Sequence, residues 1–219
     1  MRAAIFDLDG TIIDLFDVHL HAFQETVRKY SGLAFTREDL IAGYGRKTEE
    51  IAEIFFAKYG VSGVDLSALA MERRDMVLRN LSKLKVLPGV VRLLGELRAS
   101  RIKCAVGTSA RRDVTVRVLK ESGLSKYFDA LASIDDVSRG KPAPDIFLYA
   151  AKKLGVPPTE CVVFEDAPFG IQAAKAAGMK TVAVAGTSCH RREELEKEKP
   201  DLVAESLKDV DAAKLKNLF

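Results

Sequence analysis

The chain has 219 residues, of which 30% are charged, and a formal net charge of +3. Its length suits one sizeable core with an insertion, and the small, interspersed charge does not favour binding of nucleic acid or of a membrane surface. No apolar stretch approaches the roughly 20 residues of a membrane span, and the first strand is expected almost directly after Met1. We therefore expect a cytoplasmic protein without a signal peptide.

Two carboxylates follow the first apolar run of the chain. Residues 3–6 predict a short buried strand, and Asp7 and Asp9 stand two residues apart where that strand should end. Their side chains share one side only if the chain stays extended to Asp9, and Gly10 then permits the turn away. One carboxylate can attack a phosphorus while it holds a divalent cation, and the other can exchange a proton with the leaving oxygen.

The same string of residues also occurs in calcium-binding loops, but the rest of such a loop is missing. An EF-hand loop beginning at Asp7 needs an acidic or amide residue at its fifth position and Glu at its twelfth. Thr11 and Val18 occupy those positions. This excludes the EF-hand interpretation.

Helices are predicted from about residue 15 to about residue 84, with no convincing strand pattern between them. The first helix carries an apolar stripe at helical spacing, formed by Phe16, Leu20, Phe23, Val27 and Tyr30. A second stripe begins with Ile51, Ile54 and Phe55.

Strands and helices alternate in the rest of the chain. Strands are predicted at 102–107, near 130, at 161–165, at 180–184 and at 201–204. Helices are predicted at about 90–99, 112–122, 145–154 and 168–177, with one more closing the chain. Alternation at this spacing predicts a parallel sheet with helices on both faces.

Further polar groups fall at the ends of these strands or in loops that lead into helices. Thr108 and Ser109 follow the strand at 102–107, Lys141 lies in a proline-containing loop before a helix, and Glu165 and Asp166 end the strand at 161–165. Ligands of open parallel α/β sheets bind at the carboxyl edge of the strands. We therefore expect these groups to meet Asp7 and Asp9 there.

With these motifs in this order, the chain resembles the haloacid dehalogenase-like hydrolase superfamily, in its branch of small phosphatases and β-phosphoglucomutases. The segments DLDGT, VGTS, SRGKPAPD and FEDAPFGIQAAKAAGM match the four motifs of the superfamily in order and spacing. The resemblance covers essentially the whole chain. It implies a Rossmann-like core over residues 1–14 and 85–219 and an inserted helical cap over residues 15–84.

The resemblance also implies roles for the acidic residues. Asp7 is expected to be the nucleophile that forms an aspartyl-phosphate, and Asp9 the group that protonates the leaving alcohol and then activates water. Asp9 argues against the dehalogenases, which lack the second acid. A Mg²⁺ ion is expected on Asp7, Asp166 and the backbone carbonyl of Asp9, because it prefers hard oxygen ligands. Glu165 is either a further ligand, directly or through water, or a partner of Lys141.

Lys141 is expected to neutralise phosphoryl oxygens and the charge of Asp7. Thr108 and Ser109 offer a hydroxyl and backbone N–H groups at a strand-to-helix turn, which is a natural anion site, and Thr108 is the better candidate of the two.

In the cap, Arg46 is expected to grip the non-reacting end of the substrate, whereas Lys47 resembles a solvated loop lysine. His19 is a candidate site residue, and His21 points to the opposite face of the same helix. Arg73, Arg74, Arg111 and Arg112 either reach the mouth of the site or belong to charged helix faces.

The expected function is that of a Mg²⁺-dependent phosphatase, acting on a small phosphorylated metabolite of the sugar phosphate or phosphoglycolate class. A β-phosphoglucomutase would use the same four motifs and return the phosphoryl group to a sugar. A phosphonoacetaldehyde hydrolase would need a Schiff-base lysine in the cap; Lys47 lies near such a position, but Asp9 argues against this chemistry. An inactive binding module would not need all four charged motifs.

Overall fold

The computed structural model describes residues 1–44, 46–187 and 189–219. The strands are β1 Ala3–Phe6, β2 Ile13–Asp14, β3 Lys85–Val86, β4 Lys103–Gly107, β5 Ala130–Ala132, β6 Cys161–Glu165, β7 Lys180–Val184 and β8 Leu202–Ala204. Six of them form one parallel sheet in the order β5-β4-β1-β6-β7-β8. The prediction of a parallel sheet is confirmed.

Ten α-helices are found in the described part of the chain. They are α1 Phe16–Ser31, α2 Arg37–Gly43, α3 Thr48–Lys58, α4 Leu66–Arg79, α5 Val90–Ala99, α6 Arg112–Glu121, α7 Asp145–Leu154, α8 Pro168–Ala176, α9 Arg192–Lys197 and α10 Ala212–Lys216. The helices predicted after residue 85 agree with α5 to α8 to within one residue at either end.

The central strand β1 is buried on both faces, which explains its continuous apolar sequence. Its alternating side chains enter two apolar clusters: Ala4 and Phe6 pack with residues of α5 and α6, and Ala3 and Ile5 pack with residues of α7 and α8. Phe6 also stacks on Phe164 of β6, with 4.4 Å between ring centroids. This packing fixes the carboxyl end of β1 and therefore the position of Asp7, which follows it.

Helices α1 to α4 surround an apolar cluster of their own, which includes Phe23, Phe35 and Phe55. The apolar stripe predicted for α1 lies in or against this cluster. The assignment of Ile54 to the second stripe was wrong, because its side chain is 47% exposed while Phe56 is buried. Helix α3 is rotated so that positions 51, 52, 55 and 56 face inward.

A short antiparallel pair of strands, β2 and β3, joins the two points at which the chain passes between the sheet and helices α1 to α4. Ile13 of β2 pairs with Val86 of β3, and Asp14 pairs with Lys85. Two-residue strands have no periodicity to detect, so the sequence did not indicate this pair. Among the described helices, none has the length and apolar character required to cross a bilayer.

Candidate active site

The carboxyl ends of three adjacent strands form the floor of the site. Strand β1 is hydrogen-bonded to β4 on one side and to β6 on the other. Asp7 follows β1, Thr108 follows β4, and Glu165 ends β6, so the three side chains begin at one sheet edge. The N–H of Asp7 still donates to the carbonyl of Phe164 at 2.9 Å, which extends the β1–β6 pairing to the first carboxylate.

Lys141 lies on this floor and is only 3% exposed. Its Nζ donates to Oδ1 of Asp7 and, at 2.6 Å, to Oε1 of Glu165. Burial by itself would lower the pKa of Lys141, but the adjacent carboxylates of Asp7 and Glu165 raise it above its ordinary value. Lys141 is therefore a charged residue of the site, and the alternative of a solvated surface lysine is excluded.

The environment of Asp7 controls its charge. Burial raises the pKa of Asp7 to about 7; Lys141 opposes this rise, while Glu165 and Asp9 add to it. A carboxylate must be ionised to act as a nucleophile. The positive charge of Lys141 therefore favours the ionised form of Asp7.

Glu165 is fully engaged by the protein. Oε1 accepts from Lys141, and Oε2 accepts from the backbone N–H groups of Asp166 and Ala167 at 3.0 Å each. A Cβ at Gly170 would overlap this carboxylate, so the first turn of α8 needs glycine there. Of the two interpretations that the sequence left open, this geometry favours Glu165 as the partner of Lys141.

Asp166 lies beside Asp7 and is suited to share a cation with it. Its Oδ1 accepts from the hydroxyl of Thr11 at 3.2 Å, and a Cβ at Gly10 would overlap its carboxylate. Burial, followed by the nearby charges of Glu165 and Asp7, raises the pKa of Asp166 well above its usual range. A cation between Asp7 and Asp166 would relieve this repulsion.

Among the described residues, no three His, Cys, Asp or Glu side chains form a metal-binding cluster. Mg²⁺ is usually held by one or two carboxylates together with substrate phosphates, whereas Zn²⁺ takes three or four side chains. The donor set of Asp7 and Asp166, with the Asp9 carbonyl, fits the former class.

Thr108 presents its hydroxyl to the same cavity and is 2% exposed. Its Oγ1 accepts from the N–H of Ala110 at 3.1 Å, and its hydroxyl hydrogen has no acceptor among the described residues. That hydrogen is available to a phosphoryl oxygen. Ser109 also lines the cavity but is less buried, which agrees with the preference for Thr108.

His19 reaches Asp9 from helix α1. Its Nε2 lies 3.2 Å from Oδ2 of Asp9, and its Nδ1 lies 2.9 Å from Nη2 of Arg73. A guanidinium can only donate, so Nδ1 must accept and Nε2 carries the hydrogen that is donated to Asp9. The chain thus brings His19 to the site, while His21 is exposed.

Arg73 is one of several arginines whose place the sequence left undecided. It also donates to the hydroxyl of Thr48 at 3.0 Å, and its guanidinium lies 4.2 Å from the ring centre of Phe23. Burial lowers the pKa of Arg73 to about 10, and the charge of Asp9 opposes this effect. It remains a cation at neutral pH.

Sequence reasoning missed Tyr44 and Thr48, which also line the cavity over Asp7. Tyr44 is 7% exposed, and burial, with the nearby charges of Asp9 and Asp166, raises its pKa well above the ordinary value. They flank the loop that carries Arg46: Tyr44 directly follows α2, and Thr48 begins α3. No sequence motif distinguishes a tyrosine or threonine at these positions from a packing residue.

Two cavities meet at the site. The cavity over Asp7 has a volume of about 80 Å³ and is also lined by Arg46 and Lys141. A larger cavity of about 390 Å³ shares His19, Thr48, Arg73, Ser109 and Ala110 with it. Its remaining lining includes five charged side chains, which are Lys47, Glu49, Arg74, Arg111 and Asp135.

Known proteins resemble this chain in sequence and in fold. A family model described as haloacid dehalogenase-like hydrolase matches residues 4–184. Fructose-1-phosphate phosphatase YqaB of Escherichia coli (strain K12) is 41% identical over 184 residues, which cover 82% of this chain and 94% of that protein. Beta-phosphoglucomutase of Bacillus subtilis (strain 168) is 33% identical over 192 residues, which cover 84% of this chain and 83% of that protein.

Solved structures show the same architecture. The crystal structure of β-phosphoglucomutase from Clostridium difficile has a TM-score of 0.87 at 28% sequence identity, covering 100% of this chain and 96% of that chain. The similarity therefore includes the helical segment as well as the sheet.

Proposed function

Because the chain belongs to the haloacid dehalogenase-like hydrolases and is a phosphatase of that family, we propose that it is a Mg²⁺-dependent phosphomonoesterase that works through an aspartyl-phosphate. The observation that carries this proposal is the buried lysine that is bonded to both Asp7 and Glu165 below a cavity bordered by Asp9. This arrangement places a nucleophile (Asp7), its counter-ion (Lys141) and a second acid (Asp9) around one cavity.

In the first step, an oxygen of Asp7 bonds to phosphorus while the bond from phosphorus to the leaving oxygen breaks. Asp9 transfers its proton to that oxygen, so the product leaves as a neutral alcohol. Lys141 and the Thr108 hydroxyl bind the phosphoryl oxygens as negative charge redistributes. In the second step, Asp9 takes a proton from water, the water oxygen bonds to phosphorus, and Asp7 is released as a carboxylate.

Phosphatases of this family generally use a divalent metal, and Asp7, Asp166 and the Asp9 carbonyl would hold Mg²⁺ here. When bound, it would neutralise charge on the phosphate and on Asp7. Glu165 acts in this proposal through Lys141 and through the turn into α8. Residues 1–14 and 85–219 would form the catalytic core, with residues 15–84 as a cap that excludes water.

The leaving group would occupy the larger cavity. The cavity over Asp7 accommodates little more than the phosphoryl group, whereas the adjoining 390 Å³ space has the size of a small-molecule site. Its polar lining suits the hydroxyl groups of a sugar. The phosphatase from Escherichia coli is named for fructose 1-phosphate, and we propose a small sugar phosphate of this kind, with phosphoglycolate as a smaller alternative. The cytoplasm is the proposed location.

The β-phosphoglucomutase alternative is favoured by the contact between His19 and Asp9, since a mutase must control when Asp9 activates water. Water remains the proposed acceptor, because no described residue of the helical segment forms a sugar-specific constellation beyond His19, Arg46 and Arg73. Lys47 lines the larger cavity and not the one over Asp7, which does not support a Schiff-base lysine.

The test is release of phosphate from fructose 1-phosphate, phosphoglycolate, nucleoside monophosphates and β-glucose 1-phosphate, with and without Mg²⁺. We expect release from at least one small sugar phosphate, dependence on Mg²⁺, and loss of turnover in Asp7→Asn, because an amide is neither a nucleophile nor an anion. Asp7→Asn that retains substantial turnover would refute the covalent mechanism. Conversion of β-glucose 1-phosphate into glucose 6-phosphate without phosphate release would establish the mutase instead.

A further inference from the structure

Arg46 contacts an aromatic ring that belongs to the sheet side of the site. Its guanidinium carbon lies 4.1 Å from the ring centre of Phe169. Arg46 stands in the loop before α3, and Phe169 is the second residue of α8. The contact therefore connects the helical segment with the catalytic edge of the sheet.

The guanidinium of Arg46 has few other partners. Glu50 lies 4.0 Å away, at the limit of an ion pair, and the buried Nε has no hydrogen-bond partner among the described residues. Stacking on a ring uses the face of the guanidinium and leaves its N–H groups, which point outward in the plane, available for hydrogen bonds. Since Arg46 also lines the cavity over Asp7, those N–H groups are available to a substrate.

Phe169 stands on a rigid part of the site. Helix α8 begins with Pro168, directly after the turn whose N–H groups hold Glu165. Gly170 packs against that same carboxylate. The backbone that carries Phe169 is therefore fixed by the interactions that fix the catalytic carboxylates.

We propose that Phe169 is a positioning and specificity-determining residue. It holds Arg46 at the cavity, so that the guanidinium meets the non-reacting part of the substrate, and it fastens the helical segment to the catalytic edge. The inference rests on the proposed function for the identity of the substrate. Phe169, which lies in α8 next to the sheet, would thus take part in substrate recognition.

The experiment compares Phe169→Leu with the wild type on fructose 1-phosphate and p-nitrophenyl phosphate. Loss of a cation–π contact predicts that KM for fructose 1-phosphate rises about 3- to 30-fold, with kcat within about twofold. KM for p-nitrophenyl phosphate should change much less, because its leaving group offers no hydroxyl groups to Arg46. Tyr59→Leu removes the ring beside Lys58 on the outside of the helical segment and should change neither value.

A double-mutant cycle separates recognition from folding. If Phe169 acts through Arg46, adding Phe169→Leu to Arg46→Ala should cost nothing further, and Phe169→Tyr should retain the wild-type KM. Additive losses, an unchanged KM in Phe169→Leu, or equal losses on both substrates would overturn the proposal.

Calorimetric titration of the Asp7→Asn protein with fructose 1-phosphate measures binding without turnover. Phe169→Leu in that background should raise Kd by the same 3- to 30-fold range, while Kd for inorganic phosphate stays constant. A parallel rise for both ligands, or no binding of fructose 1-phosphate, would refute the role of Phe169. Absence of phosphate release by the wild type would instead refute the proposed function, whatever the binding result.

Discussion

The two oxygens of the Asp9 carboxylate have different surroundings. Oδ2 accepts from the Nε2 hydrogen of His19, while the buried Oδ1 has no partner within the described chain. Oδ1 is therefore the oxygen that can exchange a proton with a leaving group or with water. Arg73 makes this assignment unambiguous, because its N–H on Nδ1 forces the hydrogen of the imidazole onto Nε2.

His19→Ala should lower kcat by about 10- to 100-fold, because a misplaced acid loses much of its effect. KM should change little, since substrate contacts remain. Steady-state phosphate release measures both constants. His21→Ala, an exposed histidine on the same helix, is the matched control and should behave as the wild type. Equal kcat values in His19→Ala and the wild type would show that Asp9 needs no positioning.

Residues at strand ends could be identified from the sequence, and residues that reach the site from the helical segment could not. Asp7, Lys141 and Asp166 follow or precede recognisable elements, and the order of a parallel sheet brings their backbones together. Arg73 lies in the middle of α4, where its direction depends on how four helices pack. Periodicity cannot distinguish such an arginine from one on a solvated face.

Among whole elements, the long and periodic ones were predicted well and the irregular ones were not. Strands β4 and β6 are buried except at Lys103, and their central residues are apolar, so their limits were found to within a residue. The β2–β3 pair has two residues on each strand. The two chain crossings lie side by side there, which is a property of the fold and leaves no local pattern.

Helix α8 owes its close approach to the sheet to Gly170. Gly170→Ala would push a methyl group into the Glu165 carboxylate, so we expect a loss of about 1–3 kcal/mol in the free energy of unfolding, together with reduced turnover. Urea unfolding and phosphate release measure the two effects. Gly95→Ala in α5 is the control: a Cβ there meets no atom within 4 Å, and it should stabilise by about 0.4–1 kcal/mol. The same stability change in both variants would contradict the proposed packing.

At the scale of the whole molecule, the buried carboxyl groups of Asp7 and Asp166 are expected to lower the stability of the folded protein when they are ionised. Burial together with neighbouring carboxylates raises the pKa values of Asp7 and Asp166, so both are costly to keep ionised when no cation is bound. A ligand that binds the native state alone stabilises it according to its concentration. The proposed cation should therefore have a visible thermodynamic effect besides its effect on turnover.

Mg²⁺ at about 100 times its Kd should raise Tm by about 5–10 °C, which corresponds to roughly 2.7 kcal/mol. In Asp166→Asn most of this rise should disappear. The Tm of this variant in EDTA should equal or exceed that of the wild type in EDTA, because a buried charge has been removed. Thermal unfolding followed by circular dichroism gives both values. Glu121→Gln, in an exposed pair with Arg117, should retain the full rise. A rise that persists in Asp166→Asn would place the cation elsewhere.

The β2–β3 ladder also bears on whether the segment between these two strands can be exchanged for another. Both ends of the helical segment leave the sheet side by side, with Asp14 opposite Lys85, at the separation of paired strands, about 5 Å. A replacement segment would need two ends at that spacing to join the rest of the chain. Exchange of that continuous block would leave Asp7, Lys141, Glu165 and Asp166 in place, and it would remove His19 and Arg73 from Asp9.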